Sequence, residues 1–169
     1  MKKLKIPLRI IQVLTGLFLV FLTLGMLNPT IEQQVVKTSS VSQQKLAQAI
    51  ISKEGLKLWV KDFADLKKVS QTDESIELTV FTQRNGQLQK QTVQLLTQSS
   101  SQSTLFLEYP KYSLQVEFDN APENQMTAKL IILPKGVFWQ SWYFFMKNEL
   151  FKSNEALLAA ILKAANEVN

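Results

Sequence analysis

The feature that most constrains the fold is an uncharged apolar run from Ile10 to Leu27. At ~1.5 Å rise per residue, a helix of this length approaches the ~30 Å hydrocarbon core of a bilayer. The preceding flank is basic and contains Lys2, Lys3, Lys5 and Arg9. Glu32 is the first charge on the other side. By the positive-inside rule, this pattern predicts a transmembrane helix with its N-terminus in the cytoplasm. A bacterial inner-membrane protein with a periplasmic domain is the expected localisation.

A cleaved signal peptide is the alternative interpretation of the same run. Such a peptide has an apolar region of ~7–15 residues and then a small-x-small site. Here the run is longer and ends Leu24-Gly25-Met26-Leu27-Asn28-Pro29, which favours an uncleaved anchor. The chain has no cysteine, so it forms neither a disulfide nor a lipoprotein attachment. We therefore assign residues 1–27 to a basic flank and anchor, and residues 28–169 to one domain.

The charge distribution excludes nucleic acid as a partner. All 14 Asp and Glu residues follow the apolar run, whereas part of the 19 Lys and Arg residues belongs to the basic flank. The domain is therefore close to neutral. Nucleic-acid affinity depends on clustered positive charge that neutralises phosphates, and the domain does not provide it.

The first part of the domain has helical periodicity and the middle has strand periodicity. An extended stretch at 32–37 precedes a helix at 43–52, capped by Ser40 or Ser42, and a second helix at about 53–60. From Ala64 to Leu133, alternating apolar and polar residues predict six strands. Asn85-Gly86 is the strongest turn signal, because these residue types tolerate the positive φ values of a type I′ hairpin. The polar run at 98–103 predicts a loop.

After Gly136 the period changes from two to 3.6 residues. One helical stripe holds Leu150, Leu157, Ile161, Ala165 and Val168. This stripe predicts a long C-terminal helix. The order of strand, two helices, six strands and long helix predicts an α+β domain with a mostly antiparallel sheet of seven strands.

Three short segments accompany this element order. They are Ser-Val-Ser-Gln-Gln-Lys-Leu at 40–46, Trp59 before the strand Leu66-Lys67-Lys68-Val69, and Leu133-Pro134-Lys135-Gly136 between the last strand and last helix. With them, the chain from about 32 to 168 resembles the START-like superfamily, also called the SRPBCC or polyketide cyclase/dehydrase superfamily. The resemblance implies a helix-grip fold, in which a curved sheet surrounds the C-terminal helix. It also implies an apolar cavity for a lipid, sterol, polyketide or other hydrophobic molecule. An N-terminal anchor is not a usual part of that module.

The leading functional hypothesis is a membrane-anchored domain that binds a membrane lipid or another hydrophobic small molecule without transforming it. Its cavity would exclude water and offer few polar contacts. The candidate lining residues are Val80, Leu107, Leu114, Val116, Leu130 and Ile132 on strands, closed by Leu157 and Ile161 on the last helix.

The segment from 137 to 146 is denser in aromatic residues than one helical face requires. Trp and Tyr partition well to the membrane interface. Trp139, Trp142 and Tyr143 are therefore candidates for contact with that interface. Ordinary core packing of Phe138, Trp142 and Phe145 is the alternative.

The sequence predicts no enzyme, cofactor or metal site. With no histidine and no cysteine, the usual general base, the common nucleophile arrangements and the usual zinc ligands are missing. Asp62, Asp65, Glu77 and Glu108 stand where solvated charges are expected. Two alternatives remain. One is an interaction or scaffold module that docks another envelope protein. The other is a cyclase-like enzyme that uses carboxylates and tyrosines, with Tyr109, Tyr112 and Tyr143 as candidates.

Overall fold

The computed structural model describes residues 8–38, 41–72, 74–97, 102–121 and 125–168. Lys2, Lys3, Lys5, Ser40 and the loop positions 98–101 lie outside these residues. The described elements, in chain order, are α1 (Leu8–Leu27), β1 (Ile31–Thr38), α2 (Gln43–Ile51), α3 (Lys53–Trp59), β2 (Phe63–Gln71), β3 (Ser75–Arg84), β4 (Gln87–Thr97), β5 (Gln102–Glu108), β6 (Tyr112–Ala121), β7 (Gln125–Pro134), α4 (Val137–Phe145) and α5 (Lys147–Glu167).

The strands form one antiparallel sheet of seven strands in the order β1-β7-β6-β5-β4-β3-β2. Consecutive strands from β2 to β7 are neighbours, and β1 joins the far side of β7. The predicted α+β class and seven-stranded sheet are confirmed.

Local sequence signals explain where the elements begin and turn. Ser42 Oγ accepts a hydrogen bond from the Lys45 backbone N–H at 3.3 Å and caps α2. Ser52 caps α3 in the same way, through the Gly55 N–H at 3.0 Å. Asn85 and Gly86 have φ values of 52° and 75°, as a type I′ hairpin turn requires. The predicted turn between β3 and β4 is therefore confirmed.

The core lies between the sheet and the helices α2, α3 and α5. Directly paired antiparallel residues share a sheet face. One buried row across the sheet contains Leu78, Val93, Leu107, Leu114 and Ile132. A parallel row contains Leu95, Leu105, Val116 and Leu130. The side chains that α5 buries are Asn154, Leu158, Ile161, Leu162, Ala164 and Ala165.

The strand register gives the sheet two distinct ends. Ile31, the first residue of β1, pairs with Ile132 near the end of β7, and Tyr112 pairs with Pro134. Because neighbouring strands are antiparallel, the end of β5, the β3–β4 turn and the start of β2 lie at this same end. We call it the proximal end, since α1 joins β1 there, and the opposite end the distal end.

The helical region after Gly136 differs from the predicted single helix. α4 ends at Phe145 and α5 begins at Lys147, with Met146 between them at φ −96° and ψ 13°. The two helices have different packing partners: α4 packs against α1, whereas α5 packs against α2, α3 and the sheet. α5 is the predicted long C-terminal helix. Its buried face centres on Leu158, and Leu157 is only partly buried.

α1 has the length and composition of a membrane-spanning helix. The stretch Arg9–Leu27 has a mean hydropathy of 2.3, and 6% of it is buried. Signal sequences near an N-terminus satisfy the same criterion. The C-terminal part of α1 contacts the domain, and Phe21, Leu22 and Gly25 lie in this contact.

Candidate functional site

A cleft of about 300 Å³ opens at the proximal end, between the concave sheet face and the helices. Its lining residues are Trp59, Val60, Lys61, Asp62, Thr82, Arg84, Gln89, Gln91, Tyr109 and Leu157. An adjoining cleft of about 620 Å³ shares its wall at β3 and β4 and extends to Lys90, Glu108 and Pro110. We call the two together the proximal cleft.

The concave face changes from apolar to polar as it enters this cleft. Along β3, Leu78 and Val80 are buried, whereas Thr82 and Arg84, on the same face, line the cleft. On β4, Gln91 pairs with Val80, and Gln89 pairs with Thr82. The helix side of the cleft is largely apolar, with Trp59, Val60 and Leu157. The cleft therefore offers one apolar wall and one hydrogen-bonding wall.

The charges around the proximal cleft are predominantly positive. Lys61, Arg84 and Lys90 contribute cations. Glu108 is neutralised by Lys135, whose Nζ lies 2.5 Å from the carboxylate. The hydrogen bond from Lys135 also holds the pKa of Glu108 below its ordinary value. Asp62 supplies the remaining carboxylate. A ligand that carries an anionic or hydrogen-bonding group fits this balance.

All three tyrosines of the chain lie in one cluster, which we call the tyrosine row. The rings of Tyr109 and Tyr112 stack at 4.7 Å, and Tyr143 meets Tyr112 edge-on at 5.4 Å. Burial raises the pKa of each hydroxyl, and the Gln91 side chain opposes this at Tyr109 through a hydrogen bond. The row runs from the proximal cleft to α4. Its hydroxyls stay protonated at neutral pH, so they suit hydrogen bonding rather than proton abstraction.

The three residues predicted for the membrane interface differ in how far their side chains are exposed. Tyr143 packs against the core and stacks on Trp139 at 5.8 Å. Trp139 is partly buried, and Lys111 Nζ lies 4.3 Å from its ring centroid. Trp142 is 46% exposed. Of the three, Trp142 alone presents an exposed ring.

The residues predicted to line a cavity also fall into two groups. Most of them are fully buried and pack together in the core: Val80, Leu107, Leu114, Val116, Leu130, Ile132 and Ile161. Leu157 is partly buried and lines the proximal cleft. The alternation of the strands made these residues candidates for the inward face without fixing which phase faces inward, and it gives no volume that the side chains leave open.

Sequence reasoning missed Arg84, Gln89 and Gln91. Polar residues beside an Asn-Gly turn are ordinary in any hairpin, so they did not stand out. Their spacing was a usable signal. At intervals of two residues, Arg84 continues the apolar positions of β3, and Gln89 and Gln91 continue those of β4, so they lie on the same sheet face. Within the described part of the chain, no group of three or more His, Cys, Asp or Glu side chains is arranged to hold a metal ion.

No family model matches the sequence, and no curated protein matches it. Solved structures do match. A protein from Thermus thermophilus is similar over 82% of this chain and 98% of its own, with a TM-score of 0.53 and 12% identity. The Zhui aromatase/cyclase from a Streptomyces species is similar over 81% and 93%, with a TM-score of 0.54 and 8% identity. A START superfamily protein from Mycobacterium smegmatis is similar over 83% and 99%, with a TM-score of 0.52 and 10% identity. Likeness at this level of identity establishes the fold, and the predicted START-like helix-grip fold is confirmed.

Proposed function

We propose that this protein is a membrane-anchored START-like module that holds an amphipathic lipid or similar hydrophobic molecule in the proximal cleft. In this proposal residues 1–27 anchor the chain and residues 28–169 form the binding domain. The protein binds its ligand without chemical change.

The observation that carries the proposal is the position of the cleft. It opens at the end of the sheet from which α1 emerges. If α1 spans the bilayer, this end of the domain faces the lipid surface. A molecule leaving the bilayer then has a short path into the cleft, and its apolar part need not cross water.

The two walls of the cleft fit the two parts of an amphipathic molecule. Trp59, Leu157 and the ring of Tyr109 provide apolar contact area for a chain or ring system. Arg84, Gln89 and Gln91 provide donors for a polar group, and a guanidinium pairs well with a phosphate or carboxylate. These polar side chains orient the ligand, and burial of its apolar part supplies most of the affinity.

Photocrosslinking from the bilayer tests the proposal with the full chain. The protein is placed in nanodiscs that contain phosphatidylglycerol with a diazirine on one acyl chain, and adducts are mapped by mass spectrometry. We expect adducts on Trp59, Tyr109 or Leu157 as well as on α1. The variant Gln89→Trp fills the cleft and should lose the cleft adducts while keeping those on α1.

Gln83→Trp is the matched control, because Gln83 is an exposed glutamine of the same hairpin that does not line the cleft. It should keep both sets of adducts. Adducts confined to α1 in the unaltered chain would refute ligand binding in the cleft.

An interaction module without a ligand is the second candidate, and the filled core favours it. Leu107, Leu114, Leu130 and Ile161 occupy the space between sheet and helix that a larger internal cavity would need. In this case the exposed surface of the domain, rather than its interior, would bind an envelope protein. Photocrosslinking distinguishes the two candidates.

A cyclase-like enzyme is the third candidate, and it rests on the tyrosine row. The Zhui aromatase/cyclase shares this fold. Burial raises the pKa of Tyr109, Tyr112 and Tyr143 and keeps their hydroxyls protonated, so they suit hydrogen bonding rather than a general base. Asp62 is the carboxylate of the cleft that no ion pair neutralises among the described residues. Binding without transformation is therefore the better supported function.

A further inference from the structure

The outer face of α4 is apolar and exposed even after α4 has packed against the rest of the chain. Phe138, Trp142 and Phe145 follow one another at helical spacing and are 46%, 46% and 58% exposed. Val137 and Met146 extend the face at its two ends, at 38% and 41%. We call these five residues the α4 outer face. Exposed apolar patches rarely persist in water without a partner.

This face is continuous with α1. A Cβ atom at position 25 would clash with the Ser141 backbone nitrogen, so the two helices approach as closely as glycine permits. Close approach through small residues is typical of helix pairs in membranes. The Phe21 ring lies 6.0 Å from that of Phe138 and 5.6 Å from that of Phe145. Phe21 and the α4 outer face therefore form one apolar surface.

The contact also fixes the depth of α4. Phe21 precedes the last residue of α1, Leu27, by six positions, or ~9 Å along the helix. If α1 spans the bilayer, α4 therefore lies beside its last two turns rather than above them. Ser141 Oγ, which would otherwise be an unpaired donor at this depth, donates to the Val137 carbonyl at 3.0 Å.

Lysines lie around α4. Lys111 Nζ lies 4.3 Å from the Trp139 ring centroid, and Lys147 Nζ lies 5.6 Å from that of Phe144. Lys135, which immediately precedes the N-cap residue Gly136, is already paired with Glu108, so Lys111 and Lys147 are the cations available at this border. Cations at the border of an apolar helix face complement the phosphates of anionic lipids.

We propose that the α4 outer face inserts into the domain-side leaflet of the bilayer beside α1, and so fixes the domain with its proximal end on the membrane. This inference rests on the proposed anchoring by α1. A lipid leaflet is the occupant that the observations favour, because the face is continuous with the membrane-spanning candidate and has cations at its border. A second membrane contact would hold the proximal cleft against the lipid surface.

Site-directed spin labelling tests the inference, and the absence of native cysteine makes single labels unambiguous. Labels are placed at Trp142→Cys and Phe138→Cys in the full chain, reconstituted in vesicles of phosphatidylethanolamine and phosphatidylglycerol. Collision with oxygen, which concentrates in lipid, is compared with collision with a water-soluble nickel complex. We expect oxygen to dominate at both α4 sites.

Val36→Cys is the matched control. Val36 is an exposed apolar residue at 61%, but it lies five residues along β1 from Ile31, about 17 Å toward the distal end. The nickel complex should dominate there. Val13→Cys, on the exposed surface of α1 at 62%, reports whether the anchor itself lies in lipid.

The four labels separate the failure of this inference from the failure of the proposed anchor. Oxygen dominance at Val13 with nickel dominance at Trp142 and Phe138 would overturn leaflet insertion and leave the anchor intact. Nickel dominance at Val13 would overturn both. Oxygen dominance at Val36 would contradict the proposed orientation of the domain.

Discussion

The distal and proximal parts of the concave sheet face use the same strands and have opposite chemistry. Toward the distal end, Leu78, Val93 and their neighbours belong to the core between the sheet and the helices and are almost fully buried. Toward the proximal end, Thr82, Gln89 and Arg84 continue the same face without that cover. In the distal part, side chains fill the space between the sheet and the helices. In the proximal part, that space remains open as a cleft.

This difference separates residues that make the fold from residues that the fold does not require. Burial of aliphatic side chains supplies the stabilisation that holds sheet and helix together. A glutamine or arginine beside a tight turn adds little to stability, and any polar residue would serve there. The side chains of the proximal cleft are therefore free to serve binding. Substitutions in each part of the face test this division.

Truncation in the filled part should have the largest effect. Ile161 is 1% exposed, so Ile161→Ala leaves a cavity and should lower the free energy of unfolding by ~2–5 kcal/mol. Gln89→Ala, in the cleft, should change it by less than ~0.5 kcal/mol. Denaturant unfolding of the full chain in mild detergent measures both. Equal losses in the two variants would contradict the division.

The contact between α1 and α4 should be the next most sensitive position. Gly25→Leu cannot be accommodated against Ser141, and overpacking of this kind costs ~1–3 kcal/mol. We expect amide exchange in α4 to accelerate by about one to two orders of magnitude, while exchange in α5 is unchanged. Gly16→Leu is the control in the same helix, because a Cβ atom at Gly16 meets nothing within 4 Å. Equal exchange in the two variants would show that α4 does not depend on α1.

A smaller gain in stability should follow from Asn154→Leu. Asn154 lies on the buried face of α5 at 3% exposure, and its Nδ2 has no partner among the described residues. An unpaired buried donor costs ~1–3 kcal/mol, and leucine has a similar volume. Thermal unfolding should show a higher midpoint for the variant. A lower midpoint would mean that the amide makes an interaction in the folded protein.

Ionisation of the tyrosine row should lower the free energy of unfolding, but only at alkaline pH. Burial raises the pKa of Tyr112, so the folded state holds the proton more tightly than the unfolded state does. This stabilisation is fully present below the ordinary tyrosine pKa of about 10 and is lost as the pH rises above it. Because the chain's three tyrosines all lie in the row, tyrosinate absorbance reports the row alone. We expect ionisation above pH ~10. A normal titration of all three tyrosines would contradict the burial.

The sequence predicted the fold well because its signals are local and periodic. Ser42, Asn85 and Gly86 determine a cap and a turn through their own chemistry. The alternation of Leu114 and Val116 with polar residues predicts the inward face of β6. These features need no knowledge of distant residues.

The candidate site was harder to predict, because it depends on how distant elements meet. Trp59, Arg84 and Leu157 belong to three separate elements, and no spacing in the sequence connects them. The break at Met146 was missed for the same reason, since it reflects the different packing partners of α4 and α5. Helical periodicity shows that residues form a helix, but not what each part of it contacts.

Native mass spectrometry of the full chain released from lipid nanodiscs tests the central claim most directly. If the proximal cleft holds a lipid, one lipid mass should remain on the unaltered protein and on Gln83→Trp after the surrounding bilayer is removed. The same mass should be missing from Gln89→Trp. A protein that carries no lipid, or that carries it equally in Gln89→Trp, would contradict the claim that the open end of the concave face is a lipid site.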